Sequence, residues 1–517
     1  MPNRQCTPSR PCVPLVLLTV ASLLLTSAPV TASEAQRPVI ATASEAPDAE
    51  FTMQWLVRFV QPMENELGEM PPLLAWNLPI APARRMTEPR HRAQFEDALP
   101  KLLARGIVPT VQLWEGRGLE GPIVMARLIQ AAGAPVHLEY RGLPGGERKL
   151  YESCELWVDS PDHRAGREED RWPCLIHADP SHARQWMRQT MQRFAEAGVT
   201  VDAVWFDWEP MPTVHGGALK SQRKDPRIAA QYLEGVLDSW RSFATHIKQY
   251  ECDLYSEAMA DPVHAVFPDA LVSNYEAVAS SEAHPYLNRI GDVDLKRLSA
   301  SMITLYPDNW ILRNHFGRDV QGPPIPQAKA DEVFWTGLMF RLSTAAPNEA
   351  ADKQTMVYVT RMVQMFNAER FRIRMGKAVY HEFLRHAWLR GVDRMFLLNR
   401  GHVTHPRMAW TQRPSESFEE MEDARAVYDQ MLRFREFLKR GKPMNFAWSK
   451  PFTGQPYWSG LALSDRALVR ATSRDGQVRM IEIEAFQGRK FVVEAPPAGR
   501  FHLLHADGSV TELGETR

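Results

Sequence analysis

Beyond its N-terminus the sequence has no apolar run approaching the ~20 residues needed to span a bilayer. It has no excess of either charge: 61 basic and 62 acidic residues leave a net charge of -1. A nucleic-acid partner would need a basic stripe to neutralise phosphates, so that class is set aside. The composition is not acidic enough to be disordered either. No glycine-rich phosphate loop and no Gly-x-Ser-x-Gly elbow occurs, which removes nucleotide-binding and serine-hydrolase signatures. Cysteine is scarce, with five in 517 residues. Cys6 and Cys12 border the N-terminal apolar run, leaving Cys154, Cys174 and Cys252, whose spacings are not those of a zinc site. In an oxidising compartment Cys154 and Cys174 could close a short loop, with Cys252 left as a buried odd thiol. His381 and His386 are five apart instead of four, so they do not share a helical face as a zinc-protease pair must. His177 and His182 flank a helix start and read as caps or rim residues. No metal and no cofactor is expected.

What is present starts with an export signal. Arg4 and Arg10 precede the apolar run Val13 to Thr26, and Val30-Thr31-Ala32 is a small-residue cleavage site. Residues 1–32 are therefore expected to be a signal peptide that leaves no stable membrane anchor, and the mature protein to be periplasmic or secreted. Residues 33–52, rich in Ala, Ser, Glu and Pro, read as a linker. Length argues for about two domains. Fifteen tryptophans stand out; most belong to packing, but flat indoles also suit the apolar face of a sugar ring.

Eight short apolar runs alternate with helical patterns. The runs are Leu73 to Asn77, Val108 to Leu113, Val136 to Tyr140, Val201 to Glu209, Ala270 to Glu276, Met302 to Tyr306, Met356 to Thr360 and Met395 to Asn399. Helices are expected over 182–197, ending at Gly198, and near 226–248, 330–344, 377–390 and 418–438. This alternation predicts an α/β fold, a (β/α)8 TIM-type barrel over 53–440, whose active site would lie at the C-terminal strand ends. From about residue 441 the pattern becomes period-two, with Arg474-Asp475-Gly476 and Asp507-Gly508 turns. A small C-terminal antiparallel β-sandwich is expected over 441–517.

The chemistry concentrates in Val204-Trp205-Phe206-Asp207-Trp208-Glu209-Pro210. Residues two apart on a strand share a face. Asp207 and Glu209 therefore point one way with Trp205 behind them, while Phe206 and Trp208 face the helices. Two acids at a strand end repel each other and are partly desolvated, which raises the pKa of one. A carboxyl held protonated near neutral pH is what a glycosidic oxygen needs as general acid. Other strand ends carry Asn77, Gln112, Glu115, Asn274, Asp308, Arg361 and Asn399, candidates to line a cleft. Trp76, Trp114 and Trp310 are candidate sugar platforms, with core packing as the rival.

Asp207-Trp208-Glu209 at the fourth strand resembles the hyaluronidase family of glycoside hydrolases, and more loosely chitinase-like barrels ending in Asp-x-Glu. Ala75-Trp76-Asn77, Asn274-Tyr275 and Leu305-Tyr306-Pro307 fall in the family's order, over roughly residues 70–400. The resemblance implies that Glu209 protonates the leaving oxygen while the substrate's own N-acetyl oxygen attacks the anomeric carbon. Asp207 would orient that acetamido group, and Tyr275 or Tyr306 would donate to it. Such substrate assistance departs from the usual two-carboxylate scheme. Pro210-Met211-Pro212 follows the glutamate where that family has Trp-Arg-Pro, and the eighth strand ends in Leu398-Asn399-Arg400-Gly401 where it has a tryptophan. A carbohydrate partner is expected, without its identity. The rivals are a two-carboxylate retaining glycosidase using Glu276 as a misplaced nucleophile, a non-catalytic carbohydrate-binding barrel, and a metal-dependent hydrolase.

Overall fold

The computed structural model describes residues 49–76, 83–142, 144–145, 149–159, 171–207, 216–274, 293–307, 309–317, 322–343, 353–361, 369–371, 373–398, 414–445 and 457–514. The signal and most of the linker lie outside them. A helix, Ala49–Phe59, begins inside the stretch expected as linker and buries Met53 and Leu56.

All eight expected strands form, and all are parallel to their partners. One sheet joins β1 (Leu73–Trp76), β2 (Ile107–Pro109), β9 (Ala300–Leu305), β10 (Gln354–Val359) and β11 (Arg394–Leu398) in the order β2-β1-β11-β10-β9. The other joins β3 (Val111–Leu113), β4 (His137–Arg141), β7 (Ala203–Asp207) and β8 (Leu271–Asn274) in that order. Only Thr110 separates β2 from β3. Its amide donates to Ala75 O at 3.2 Å, so this run pairs first with β1 and then with β4. At the other margin Ser299 N donates to Val272 O at 2.9 Å, and Ser273 Oγ donates to Ala300 O at 2.9 Å. Within the insertion after β4, β5 (Trp157–Asp159) pairs antiparallel with β6 (Arg171–Pro173).

Period-two alternation sorts the strand residues. Leu73, Ala75, Val357, Val359, Met395 and Leu397 pack outward on helices such as Gln327–Ser343 and Lys377–Trp388. Trp76, Trp205, Tyr358 and Phe396 face inward. The Trp205 ring lies 6.4 Å from Trp76, 5.4 Å from Tyr358 and 4.9 Å from Phe396, so side chains of both sheets meet in one aromatic cluster. Truncating so large a buried ring costs about 3–5 kcal/mol.

The helix Ser181–Glu196 ends as expected, with Gly198 at φ 72° accepting the left-handed conformation that closes a helix. The single helix expected near 226–248 is instead two. Pro226–Ala229 starts on Asp225, and Trp240–Tyr255 starts on Ser239, whose Oγ accepts from Ser242 N at 3.1 Å. Gly235, at φ 82°, interrupts the run between them. A π-turn, Ser256–Ala260, then extends the second helix.

The C-terminal strands are antiparallel, as expected. β12 (Lys442–Pro443), β13 (Tyr457–Ala462), β14 (Arg466–Thr472), β17 (Arg500–His505) and β18 (Val510–Leu513) form one sheet, and β15 (Arg479–Ala485) pairs with β16 (Arg489–Ala495). Ala467, Val469 and Ala471 face that hairpin's Ile483, Phe491 and Val493. The opposite face of β14, through Leu468 and Arg470, lies against the helix Lys377–Trp388. No described helix is long and apolar enough to cross a membrane.

Candidate functional site

The inner face of β7 presents Trp205 below and Asp207 above. Trp205 is fully buried among rings, whereas Asp207 is half-buried at the strand's C-terminal end. Phe206 turns outward, 6.3 Å from Tyr140, which itself packs on Trp186 of the helix Ser181–Glu196. The alternation expected for this strand is therefore present as far as Asp207. Trp208, Glu209 and Pro210 lie outside the described residues. Beside Asp207, the end of β4 is in register at Arg141, and Gly142 N donates to Asp207 O at 3.0 Å.

One step below Asp207 on the neighbouring strand is a carboxylate that the sequence reading passed over. Glu139 is fully buried, accepts from Thr110 Oγ1 at 2.8 Å and receives the Trp76 indole N–H. Two positions lower, His137 is fully buried with its Nε2 3.4 Å from Arg394 Nη1. Burial, reinforced by that guanidinium, holds the imidazole well below its ordinary pKa, so it is neutral. The signal that would have revealed these groups is the period-two polar stripe His137, Glu139, Arg141 within a strand otherwise apolar.

Trp76 is 4% exposed, with its indole N–H committed to Glu139 and its ring in T-shaped contacts with Trp205 and Tyr358. It is a core ring and not an open sugar platform. Gln112 is half-buried on the inner face, in register with Glu139. Tyr306, 8% exposed, continues the inward row of Met302 and Thr304. Trp114 stands just past β3 and is 38% exposed.

Asn274 is placed differently from the expectation. It pairs in register with outward-facing Phe206 and is fully buried, on the helix side of β8. Arg361 is likewise drawn outward. Its Nη1 lies 3.2 Å from Asp423, its Nε donates to Met375 O at 3.1 Å, and Asp423 also holds His381 at 2.8 Å and Lys377 at 2.9 Å. That arginine is committed to tying the end of β10 to the helix Pro414–Leu432, instead of facing a cleft. Asn77, Tyr275, Glu276, Asp308 and Asn399 lie outside the described residues, as does the side chain of Trp310.

At the rim, Glu115 Oε1 lies 2.7 Å from His182 Nε2, and its other oxygen receives Gly145 N. His182 is thus a rim residue with a carboxylate partner. Cys154, Cys174 and Cys252 are all buried, and none of the three is in a disulfide. Burial pushes the Cys174 thiol up to about 11, and the neighbouring Cys154 adds to the shift. Among the described residues no cluster of His, Cys, Asp and Glu has the arrangement of a metal site.

No protein-family model and no curated protein matches the sequence. Several solved structures share a broad likeness of fold. AmyP in complex with maltose is 12% identical, with a TM-score of 0.40, over 79% of this chain and 88% of that one. The debranching enzyme of Nostoc punctiforme, soaked with acarbose, is 10% identical, with a TM-score of 0.41, over 85% and 99%. The GH36 alpha-galactosidase AgaA of Geobacillus stearothermophilus, in complex with stachyose, is 11% identical, with a TM-score of 0.38, over 90% of this chain and 58% of that one. At these scores the likeness bears on neither activity nor substrate.

Proposed function

We propose that this chain is an exported glycoside hydrolase whose eight parallel strands close as a (β/α)8 barrel, with Glu209 as general acid. The observation that carries the reading is the place of Asp207. It caps an inward column on β7 whose lower part is sealed by Trp76, Trp205, Tyr358 and Phe396. A half-buried acid at the C-terminal end of a strand, above a packed floor, is where a barrel places its chemistry. If the period-two alternation read from the sequence continued past Asp207, Glu209 would follow it on the same face.

Protonation by Glu209 of the glycosidic oxygen would release the leaving sugar. The anomeric carbon would be attacked by the oxygen of a 2-acetamido group on the substrate itself. Asp207 would hold that group's N–H, and Tyr306 or Tyr275 its carbonyl side. The sugar would be an N-acetylhexosamine within a polysaccharide. The two-carboxylate alternative gains nothing from Glu139, whose oxygens already accept from Trp76 and Thr110 in a fully buried position. Residues 1–32 would be the export signal, 53–440 the catalytic domain and 441–517 the β-sandwich.

The test is Glu209→Gln assayed on a panel of polysaccharides. Turnover should fall by about 10²–10⁴-fold, the range for loss of a general acid. Hydrolysis at the parent rate would sink the assignment. A thiazoline mimic of the cyclised intermediate should inhibit the parent protein, and failure to bind would remove the substrate-assisted route.

A further inference from the structure

The chain segments that follow β1 and β3 meet in a groove of about 530 Å³ lined by Arg84, Arg85, Thr87, Arg117, Glu120 and Gly121. Local backbone geometry brings them together. The turn Ala83–Arg85 lies against the first turn of the helix Glu120–Ala131, so closely that a Cβ on Gly121 would come 2.3 Å from Ala83 O. Gly116, at φ 73°, permits the tight turn in which Arg117 N donates to Trp114 O at 3.3 Å. Trp114, exposed, and Arg117 thus stand on one short loop.

The charge balance of the groove is positive. Its acid, Glu120, is ion-paired with Arg193 at 3.2 Å. Arg85 approaches Glu88 only to 3.9 Å. The side chains of Arg84 and Arg117 have no hydrogen-bond or ion-pair partner among the described residues. Three exposed guanidiniums repel one another, and folding gains nothing from gathering them. Their planar forks match the two oxygens of a carboxylate or a sulfate ester.

We propose that this groove is an oxyanion subsite that reads a carboxylate or sulfate ester on a bound glycan, with Trp114 meeting the apolar face of an adjoining sugar. This deepens the glycosidase reading by giving the substrate a charge, and it rests on that reading for the identification of the ligand as a glycan. The groove lies at the C-terminal strand ends, the same end as Asp207.

The test uses the full chain and calorimetric titration, which needs no turnover. The parent and Arg84→Gln/Arg85→Gln/Arg117→Gln are titrated with a uronate oligomer, a sulfated galactan oligomer and a neutral glucan oligomer. The triple variant should bind the acidic oligomer about tenfold or more weakly, and raised salt should weaken the parent in the same way. Binding of the uronate alone identifies a carboxylate, and binding of the sulfated oligomer alone a sulfate ester. Equal binding by parent and variant, or no binding of either acidic oligomer, overturns the subsite. Arg117→Gln alone, at an exposed position, keeps the question answerable if the triple variant fails to fold. A protein that hydrolyses a neutral glycan through Glu209 but binds no acidic one would lose this subsite and keep its proposed activity.

Discussion

Arg470 and Arg117 carry the same charge in different company. Arg470, fully buried, sits where β14 meets the helix Lys377–Trp388. Its Nε lies 2.7 Å and its Nη2 2.6 Å from Glu382 oxygens, and its guanidinium is 4.5 Å over the Phe501 ring. Around that pair, Ser459 Oγ lies 2.8 Å from His386 Nδ1 and accepts from Arg390 Nε at 2.8 Å. Arg117 is exposed in a groove with two further arginines. A buried charge without a partner costs several kcal/mol, so pairing at the joint is a condition of folding. An exposed charge is solvated whether paired or not, so the gathering at the rim is not required by the fold. The company an arginine keeps therefore separates scaffold from ligand-facing surface in this molecule.

The largest effect that could break this contrast is at the joint. Arg470→Met leaves Glu382 buried without its main cation and should cost about 3–5 kcal/mol in urea unfolding. The paired change Glu382→Leu/Arg470→Met should recover much of that loss, because a buried pair replaced by apolar groups is often neutral. The triple rim variant, in comparison, should melt within a degree or two of the parent. If Arg470→Met unfolds like the parent, or the rim variant loses several kcal/mol, the division between the two regions fails.

The interior below the candidate site gives a smaller and pH-dependent effect. His137 has a folded pKa held well below 6.5 by burial and by Arg394. The unfolded chain therefore binds this proton more readily than the folded one, and stability rises with pH across the gap. The contribution is complete above the unfolded value near 6.5 and is lost progressively as pH falls from there toward the folded pKa. Melting temperatures should drop from pH 7 to pH 5, and His137→Phe should show a shallower drop if it folds. An unchanged slope in a folded His137→Phe would assign the titration to other buried histidines, such as His386.

Much of the strand framework is legible in the sequence, and the gaps have physical causes. The eight strands were readable because each is an apolar run bounded by polar residues, and Gly198 and the Asp-Gly turns marked their own boundaries. The split of the 226–248 helix escaped because helical periodicity persists across Gly235, whose positive φ decides the matter. Asn274 and Arg361 stand at strand ends, which suggests a cleft, but position along a strand does not give its face. Parity places both outward: Asn274 pairs with Phe206, and Arg361 lies two residues beyond outward-facing Val359. Glu139 follows from the same count and was hidden among apolar neighbours. The joint could not be read, since Glu382 and Arg470 are 88 residues apart in sequence and meet only through tertiary packing.

The smallest expected effect bears on the aromatic side of the contrast. Trp76 and Trp114 are equivalent as sequence candidates, but Trp76 is enclosed by rings and its indole N–H is held by Glu139, whereas Trp114 is 38% exposed on the loop that carries Arg117. Trp114 is only partly buried, so Trp114→Ala should cost less in unfolding than the ~3–5 kcal/mol expected for a fully enclosed ring. If it forms one wall of a glycan site, its loss removes one aromatic contact, about 1 kcal/mol, and weakens oligosaccharide binding roughly fivefold. Titration of Trp114→Ala with the oligomer that the parent binds best reads this directly. A fivefold loss that persists at high salt, where the arginines are screened, would make the ring and the guanidiniums separable parts of one surface. An affinity equal to the parent's would confine ligand recognition at this rim to charge.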